Sequence, residues 1–247
     1  MATKRIGILA AMPQEIAKLK ETVQGQADFQ KGSVFTFTTG TLEGKPVVFA
    51  AANIGTVFAG SAATTMINEF GATKIVFTGV AGGLLEGQKI GDIVVGSRVV
   101  NYEMDARSFT APWEPDYKYS LGEIPIMKWR YYDADPAMLA IATAAPVAEG
   151  VTVATGLIAS GSVFITSEAK QAMRATVWEP LGMPAACEME NAGVAQICRA
   201  YDVPYVSLRA LSDLITGDAN ADFGAFCDQA ANNVYPIVAH LVREMEV

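Results

Sequence analysis

The stretch Lys74–Gly83 reads KIVFTGVAGG. Its first six residues place Ile75, Val76 and Phe77 in an unbroken apolar run that ends at Gly79. A short run rich in β-branched and aromatic side chains, closed by glycine, reads as a buried strand. Val80-Ala81-Gly82-Gly83 then reads as a tight turn at the strand's carboxyl end. It lacks the Lys-Ser/Thr of a P-loop and the full GxGxxG spacing, so it offers little to a nucleotide phosphate.

The same pattern recurs on both sides of this stretch. Arg5–Ala11 (RIGILAA) is a second buried strand. Pro13 fits the first turn of a helix, and Ile16, Leu19 and Val23 follow on one face. Ser33–Thr41 and Pro46–Asn53 form a strand pair around Glu43-Gly44-Lys45. Gly60–Phe70 is a buried helix. Strands are predicted at Asp92–Val100, Val151–Ser160, Ala185–Met189 and Pro204–Leu211, and helices at Ala137–Ala145, through Val194–Tyr201 and at Ala225–Val242. Pro236 predicts a kink in the last helix. Strand–helix alternation of this kind specifies an α/β fold. We expect a single three-layer domain over residues 1–247, with a central mixed, largely parallel sheet flanked by helices. Asn101–Arg130 breaks the pattern. It carries Pro112, Pro115, Pro125, Trp113 and Trp129, and a segment of this length without regular pattern is usually functional or at an interface, the alternative being a plain surface excursion.

Composition narrows the function. Of 247 residues, 51% are apolar and 18% charged, and the net charge is −8. A sizeable core is possible, and nucleic acid or an anionic membrane is excluded as the main partner. The three cysteines form no CxxC pair and read as buried thiols in a reducing compartment. The single histidine, His240, gives no basis for a metal cluster or a Ser-His-Asp triad. No metal or cofactor is expected. The N-terminal apolar run is too short for a signal peptide, and no stretch approaches the ~20 apolar residues of a membrane span. These features predict a soluble cytoplasmic protein.

Ligands of open α/β sheets bind outside the carboxyl ends of the strands. Met12-Pro13-Gln14-Glu15, Ile54-Gly55, Val80–Gly83, Gly161–Ile165, Glu190 and Ser212-Asp213 follow the predicted strands. Glu15, Glu190 and Asp213 should therefore gather on one rim. Singly, each has a plainer explanation. Glu15 complements a helix dipole, Asp213 caps a helix, and Arg209 is half of an ion pair. In CEMENAG, Cys187–Gly193, the two glutamates would share one face of a continuing strand. If the strand stops near Met189, Glu190 is free to turn into the site. Buried carboxylates need partners, and Arg209 or sugar hydroxyls can serve.

AAMPQE, TGVAGGL, GDIVV, GLIASGSVFI, CEMENAG and RALSD, in this order and spacing, resemble the nucleoside phosphorylase/nucleosidase superfamily. Within it they are most similar to the 5′-methylthioadenosine/S-adenosylhomocysteine nucleosidases. The resemblance implies hydrolysis of the adenine–ribose bond through an oxocarbenium-like transition state. It implies that Glu15 activates water and Asp213 protonates adenine N7. Glu190 would hold the ribose hydroxyls, with Met189 against the sugar. Phe164 would stack on adenine, Ile165 would read its edge through the backbone, and Gly82 would lie against the ligand. Ser212 would orient Asp213, and Arg209 would position the water. Ile54 and Phe223 would wall the 5′-thio pocket. A homodimer is implied, with Phe109 and its surroundings near the neighbouring site.

The proposed roles set opposite demands. Glu15 must be ionised, which a helix N-terminus favours. Asp213 must hold a proton near neutral pH. No arginine other than Arg5 lies near AAMPQE in sequence, which favours water over phosphate as nucleophile. Three features depart from the family. Val80 replaces a common Ser or Thr, Ser162-Val163 replaces an acid-containing pair, and Tyr102–Arg107 differs. Alternatives are an aminodeoxyfutalosine hydrolase, a purine nucleoside phosphorylase and a non-catalytic nucleoside-binding protein.

Overall fold

Residues 3–215 and 219–247 are described by a computed structural model. The strands are β1 (Arg5–Ala10), β2 (Gln24–Lys31), β3 (Phe35–Leu42), β4 (Lys45–Ala51), β5 (Ala72–Gly83), β6 (Ile93–Asn101), β7 (Tyr131–Asp133), β8 (Val153–Ser160), β9 (Ala186–Glu188) and β10 (Tyr205–Asp213). The helices are α1 (Ala17–Thr22), α2 (Thr56–Phe70), α3 (Pro136–Thr143), α4 (Ser167–Ala172), α5 (Asn191–Ala200) and α6 (Ala219–Glu244). Single 3₁₀ and π turns add Pro13–Ile16 and Arg174–Trp178.

All ten strands join one mixed sheet. The parallel pairs β1–β4, β1–β5, β5–β10, β6–β8 and β8–β9 are matched by as many antiparallel ones. Its organising element is β5. One edge pairs with β10 from Ile75 to Gly82. The other edge pairs with β1 as far as Phe77, and with β9 at Gly82 and Gly83. Because β10, β6, β8 and β9 are themselves linked in that order, they close a ring with β5. The expected turn at Val80–Gly83 is therefore strand. Neighbours on both edges claim its backbone, and that overrides the local preference of glycine for turns.

Helices cover both faces, as the alternation predicts. Ile16, Leu19, Met138 and the apolar stripe of α6 form one core with Val76, Val80 and Leu208. Met66, Phe70, Val194 and Cys198 of α2 and α5 form the other with Phe77 and Leu211. The two helices approach closely at Gly193, where a Cβ would meet the Thr56 carbonyl oxygen at 2.1 Å. Gly193 thus serves helix packing.

Some elements were not visible in the sequence. β2 is an exposed edge strand, QGQADFQK, without apolar alternation. β7 spans three residues, too few to show a period. No helix or strand forms from 102 to 130, in keeping with the expectation for that segment. Tyr102, Tyr119 and Leu121 nevertheless turn inward. Pro236 lies inside α6. Among the described residues no helix is long and apolar enough to cross a membrane.

Candidate active site

Between Phe77 and Gly82 one edge of β5 changes partner from β1 to β9. The Val80 N–H in this interval donates instead to Glu15 Oε1, at 2.8 Å. Glu15 Oε2 accepts the N–H groups of Ala11 (2.9 Å) and Met12 (2.7 Å). The 3₁₀ turn after β1, opened by Pro13, thus folds its carboxylate back onto the strand end. Both oxygens face donors, which suits the ionised form. Burial acts against it and pushes the Glu15 carboxyl above its ordinary value of 4.5, opposed by Arg209 and the three N–H groups. The result is a base with more proton affinity than an exposed glutamate.

Gly79 makes this insertion possible. A Cβ there would lie 2.4 Å from Glu15 Oε1 and 2.3 Å from Arg209 Nη1. Carboxylate and guanidinium share the space that a side chain would fill. Gly79 was read only as the end of a strand, and its proximity to the site depends on the register Gly79↔Arg209 between β5 and β10.

The two glutamates of CEMENAG diverge because β9 ends at Glu188 and Glu190 is the N-cap residue of α5. Glu188 Oε2 accepts Arg209 Nη2 at 2.9 Å, and its carboxylate also accepts the N–H groups of Glu190 and Asn191. It therefore meets N–H groups at the start of α5 and pairs with a fully buried arginine at once. Arg209 also stacks on Phe77, 4.2 Å from the ring centroid. Arg209 is thus half of an ion pair, the plainer of its two expected roles. It does not line the cavity but stands behind it, held by Glu188. Alternation along β10 turns Arg209 to the face of Phe77 and Leu211.

Glu190 turns into the cavity, and its Oε1 accepts the Gly55 N–H at 2.9 Å. Gly55 has φ 106°, a conformation suited to glycine, so the turn after β4 can offer that donor. Burial and the neighbouring Glu188 push the Glu190 carboxyl up to about 7, against the pull of Arg209. Asp213 is buried at the end of β10. Its Oδ2 accepts the Ser212 hydroxyl and its Oδ1 the Ile215 N–H, both at 3.2 Å.

These groups surround one cleft of about 180 Å³, partly open to solvent. Every expected site residue other than Arg209 lines it: Glu15, Ile54, Val80, Gly82, Phe164, Ile165, Met189, Glu190, Ser212, Asp213 and Phe223. Phe164 and Phe223 meet edge to face at 6.1 Å. Met12 and Val163, from the expected strand-end segments, also line the cleft, as do Glu188 and Ile215, which sequence reasoning had not placed there. Phe109 does not reach it and packs on Tyr119. Val80 contributes its backbone, and its side chain belongs to the core. Next to the departure at Ser162-Val163, the Ser162 N–H is taken by Glu103 at 2.6 Å, and the Tyr102 ring fills the space over Gly161. The irregular segment therefore begins by bracing the loop that carries Phe164. Among the described residues no group of His, Cys, Asp and Glu could hold a metal ion.

An acid-lined cleft at the strand ends of a mixed α/β sheet that closes on itself defines a class, and comparison places the chain in it. A profile of the phosphorylase superfamily matches residues 5–243, and the chain belongs to that superfamily. It is 32% identical over 240 residues to the 5′-methylthioadenosine/S-adenosylhomocysteine nucleosidase of Anoxybacillus flavithermus (strain DSM 21510 / WK1), covering 97% of this chain and 98% of that protein. Its structure is similar to the nucleosidase of the same name from Neisseria meningitidis in complex with methylthio-immucillin-A, with a TM-score of 0.86, 32% identity, and 98% and 100% of the two chains covered. It is also similar to the futalosine hydrolase of Helicobacter pylori strain 26695, with a TM-score of 0.85, 30% identity and 98% of each chain covered.

Proposed function

We propose that this protein is a nucleosidase that hydrolyses the N-glycosidic bond of 5′-substituted adenosines such as 5′-methylthioadenosine or S-adenosylhomocysteine. The observation that carries the choice of water is the charge of the cleft. Glu15, Glu188, Glu190 and Asp213 line it, and no lysine or arginine does among the described residues. Arg209, which stands behind the cleft, is paired with Glu188. Carboxylates stabilise a developing sugar cation and repel a phosphate nucleophile.

In this reading Glu15 takes a proton from water below the sugar, and Asp213 delivers one to the leaving adenine. Phe164 stacks on the base, Ile165 reads its edge, and Glu190 accepts from the ribose hydroxyls beside Met189. The 5′ substituent lies between Ile54 and Phe223. A second copy of the chain closes that end. Ile54, Val57 and Phe58, exposed by 56%, 79% and 43%, form the apolar surface that supports this, and Phe109 is the residue offered to the partner's site. The three cysteines are free and buried, which supports a reducing compartment such as the cytoplasm. The family match from 5 to 243 supports reading residues 1–247 as one domain.

The test is adenine release from 5′-methylthioadenosine in phosphate-free buffer. Release at full rate without phosphate is expected. Release that requires phosphate would make the protein a phosphorylase, and absence of release in both buffers would leave a binding protein. Aminodeoxyfutalosine, offered in parallel, separates the two hydrolase readings by kcat/KM.

Glu190 adds a pH dependence. Its folded-state value lies near 7 against an ordinary 4.5, so the ionised form costs stability in the empty protein. The stability present below pH 4.5 is lost as pH rises through about 7, by up to about 3 kcal/mol at 1.36 kcal/mol per unit. Ribose hydroxyls offset that cost by donating to the carboxylate. A ribosyl inhibitor should therefore bind more tightly at pH 8 than at pH 6, whereas free adenine should not share this dependence. Glu190→Gln should remove the difference and raise the ligand-free Tm more at pH 8 than at pH 5. Equal Tm gains at both pH values would show that Glu190 does not titrate in this range.

A further inference from the structure

Lys170 lies outside the cleft, yet it touches both segments that flank Asp213. Its Nζ donates to the carbonyl of Gly83 and to that of Leu214, each at 3.1 Å. Leu214 follows Asp213 directly. Gly83 follows Gly82, the register partner of Asp213 on β5. One ammonium therefore bridges the end of β5 to the loop that leaves β10. Hydrogen bonds from a charged donor are about twice as strong as neutral ones.

The position of Lys170 is itself fixed. Its N–H bonds to the Thr166 carbonyl at 2.8 Å, and its carbonyl accepts the indole N–H of buried Trp178 at 2.9 Å. Trp178 is held edge-on by Tyr102. Thr166, whose hydroxyl caps α4, follows Phe164 and Ile165 at once. The same short helix thus begins at the loop assigned to the base and ends at the clamp on the loop of the acid.

We propose that Lys170 is a positioning residue that fixes Asp213 relative to the base held by Phe164 and Ile165. This rests on the nucleosidase reading. Base binding needs only the loop 161–165, whereas proton delivery needs the distance between that loop and Asp213. Loss of the clamp should therefore lower kcat more than it raises KM.

The experiment compares Lys170→Met and Lys170→Arg with wild type for adenine release from 5′-methylthioadenosine, together with Tm. Lys170→Met should lose about 10- to 100-fold in kcat with KM changed by less than about threefold, since a displacement of about 1 Å can cost 10²-fold. Lys170→Arg keeps a cationic donor and should recover most of that loss. The proposal is overturned by a methionine variant with normal kcat, by one with raised KM and intact kcat, or by equal losses in both variants. If Lys170→Met shows no thermal transition, Lys170→Gln takes its place under the same criteria. A wild type that releases no adenine overturns the nucleosidase reading instead, which keeps the two failures distinct.

Discussion

Glu15→Gln should lower kcat for adenine release by about 10³-fold, within the range lost with a general base, while the protein still binds adenine. The argument rests on the carboxylate's surroundings. Three N–H groups converge on two oxygens. Glutamine can present its oxygen to Ala11 and Met12, but its amide then opposes the Val80 N–H. A buried donor left unpaired costs about 1–3 kcal/mol, so Tm should fall as well. Adenine affinity separates lost chemistry from lost folding, because Phe164 and Ile165 lie on another loop. Turnover within about tenfold of wild type would remove Glu15 from the reaction. The wild-type profile carries the same signature. Burial raises the Glu15 carboxyl above 4.5, and the base must be ionised, so kcat/KM should fall on the acid side at a higher pH than an exposed glutamate would give.

Asp213→Asn should cost about 10²- to 10⁴-fold in kcat and abolish the alkaline limb of the kcat profile. Unlike Glu15→Gln, this change fits its surroundings. The asparagine oxygen can keep the Ile215 N–H, and its amide can donate to the Ser212 hydroxyl. Fold and ligand binding should survive, so the loss reports proton delivery. An aryl riboside whose phenolate leaves without protonation should lose much less with Asp213→Asn than 5′-methylthioadenosine does. Equal losses on both substrates would assign Asp213 to binding.

Much of this site was legible because strand ends are local events. Apolar runs closed by an acid mark where β9 and β10 stop, Pro13 follows the end of β1, and ligands collect at such ends in α/β sheets. Glu15, Glu190 and Asp213 were found by that rule alone, and the family motifs supplied their separate tasks. The roles of Gly79 and Lys170 are not visible in the sequence. A glycine at a strand end signals a turn, and nothing local reveals that Gly79 clears room for two charges brought from Glu15 and Arg209. Lys170 carries no signal at all, since it acts through carbonyls of residues 87 and 44 positions away.

The sequence by itself determined the alternation of strands and helices and the acids at the strand ends. Those properties follow from periods of two and 3.6 residues and from where each period stops. Only the tertiary structure decided that KIVFTGVAGG remains strand through Gly83, with β10 on one edge and first β1, then β9, on the other. It also decided that Glu15 fills the interval between those partners, and that Arg209 is held by Glu188 behind the cleft. Pairing across a sheet joins residues far apart in the chain, so a buried charge finds its partner through register and strand direction, which no local pattern records.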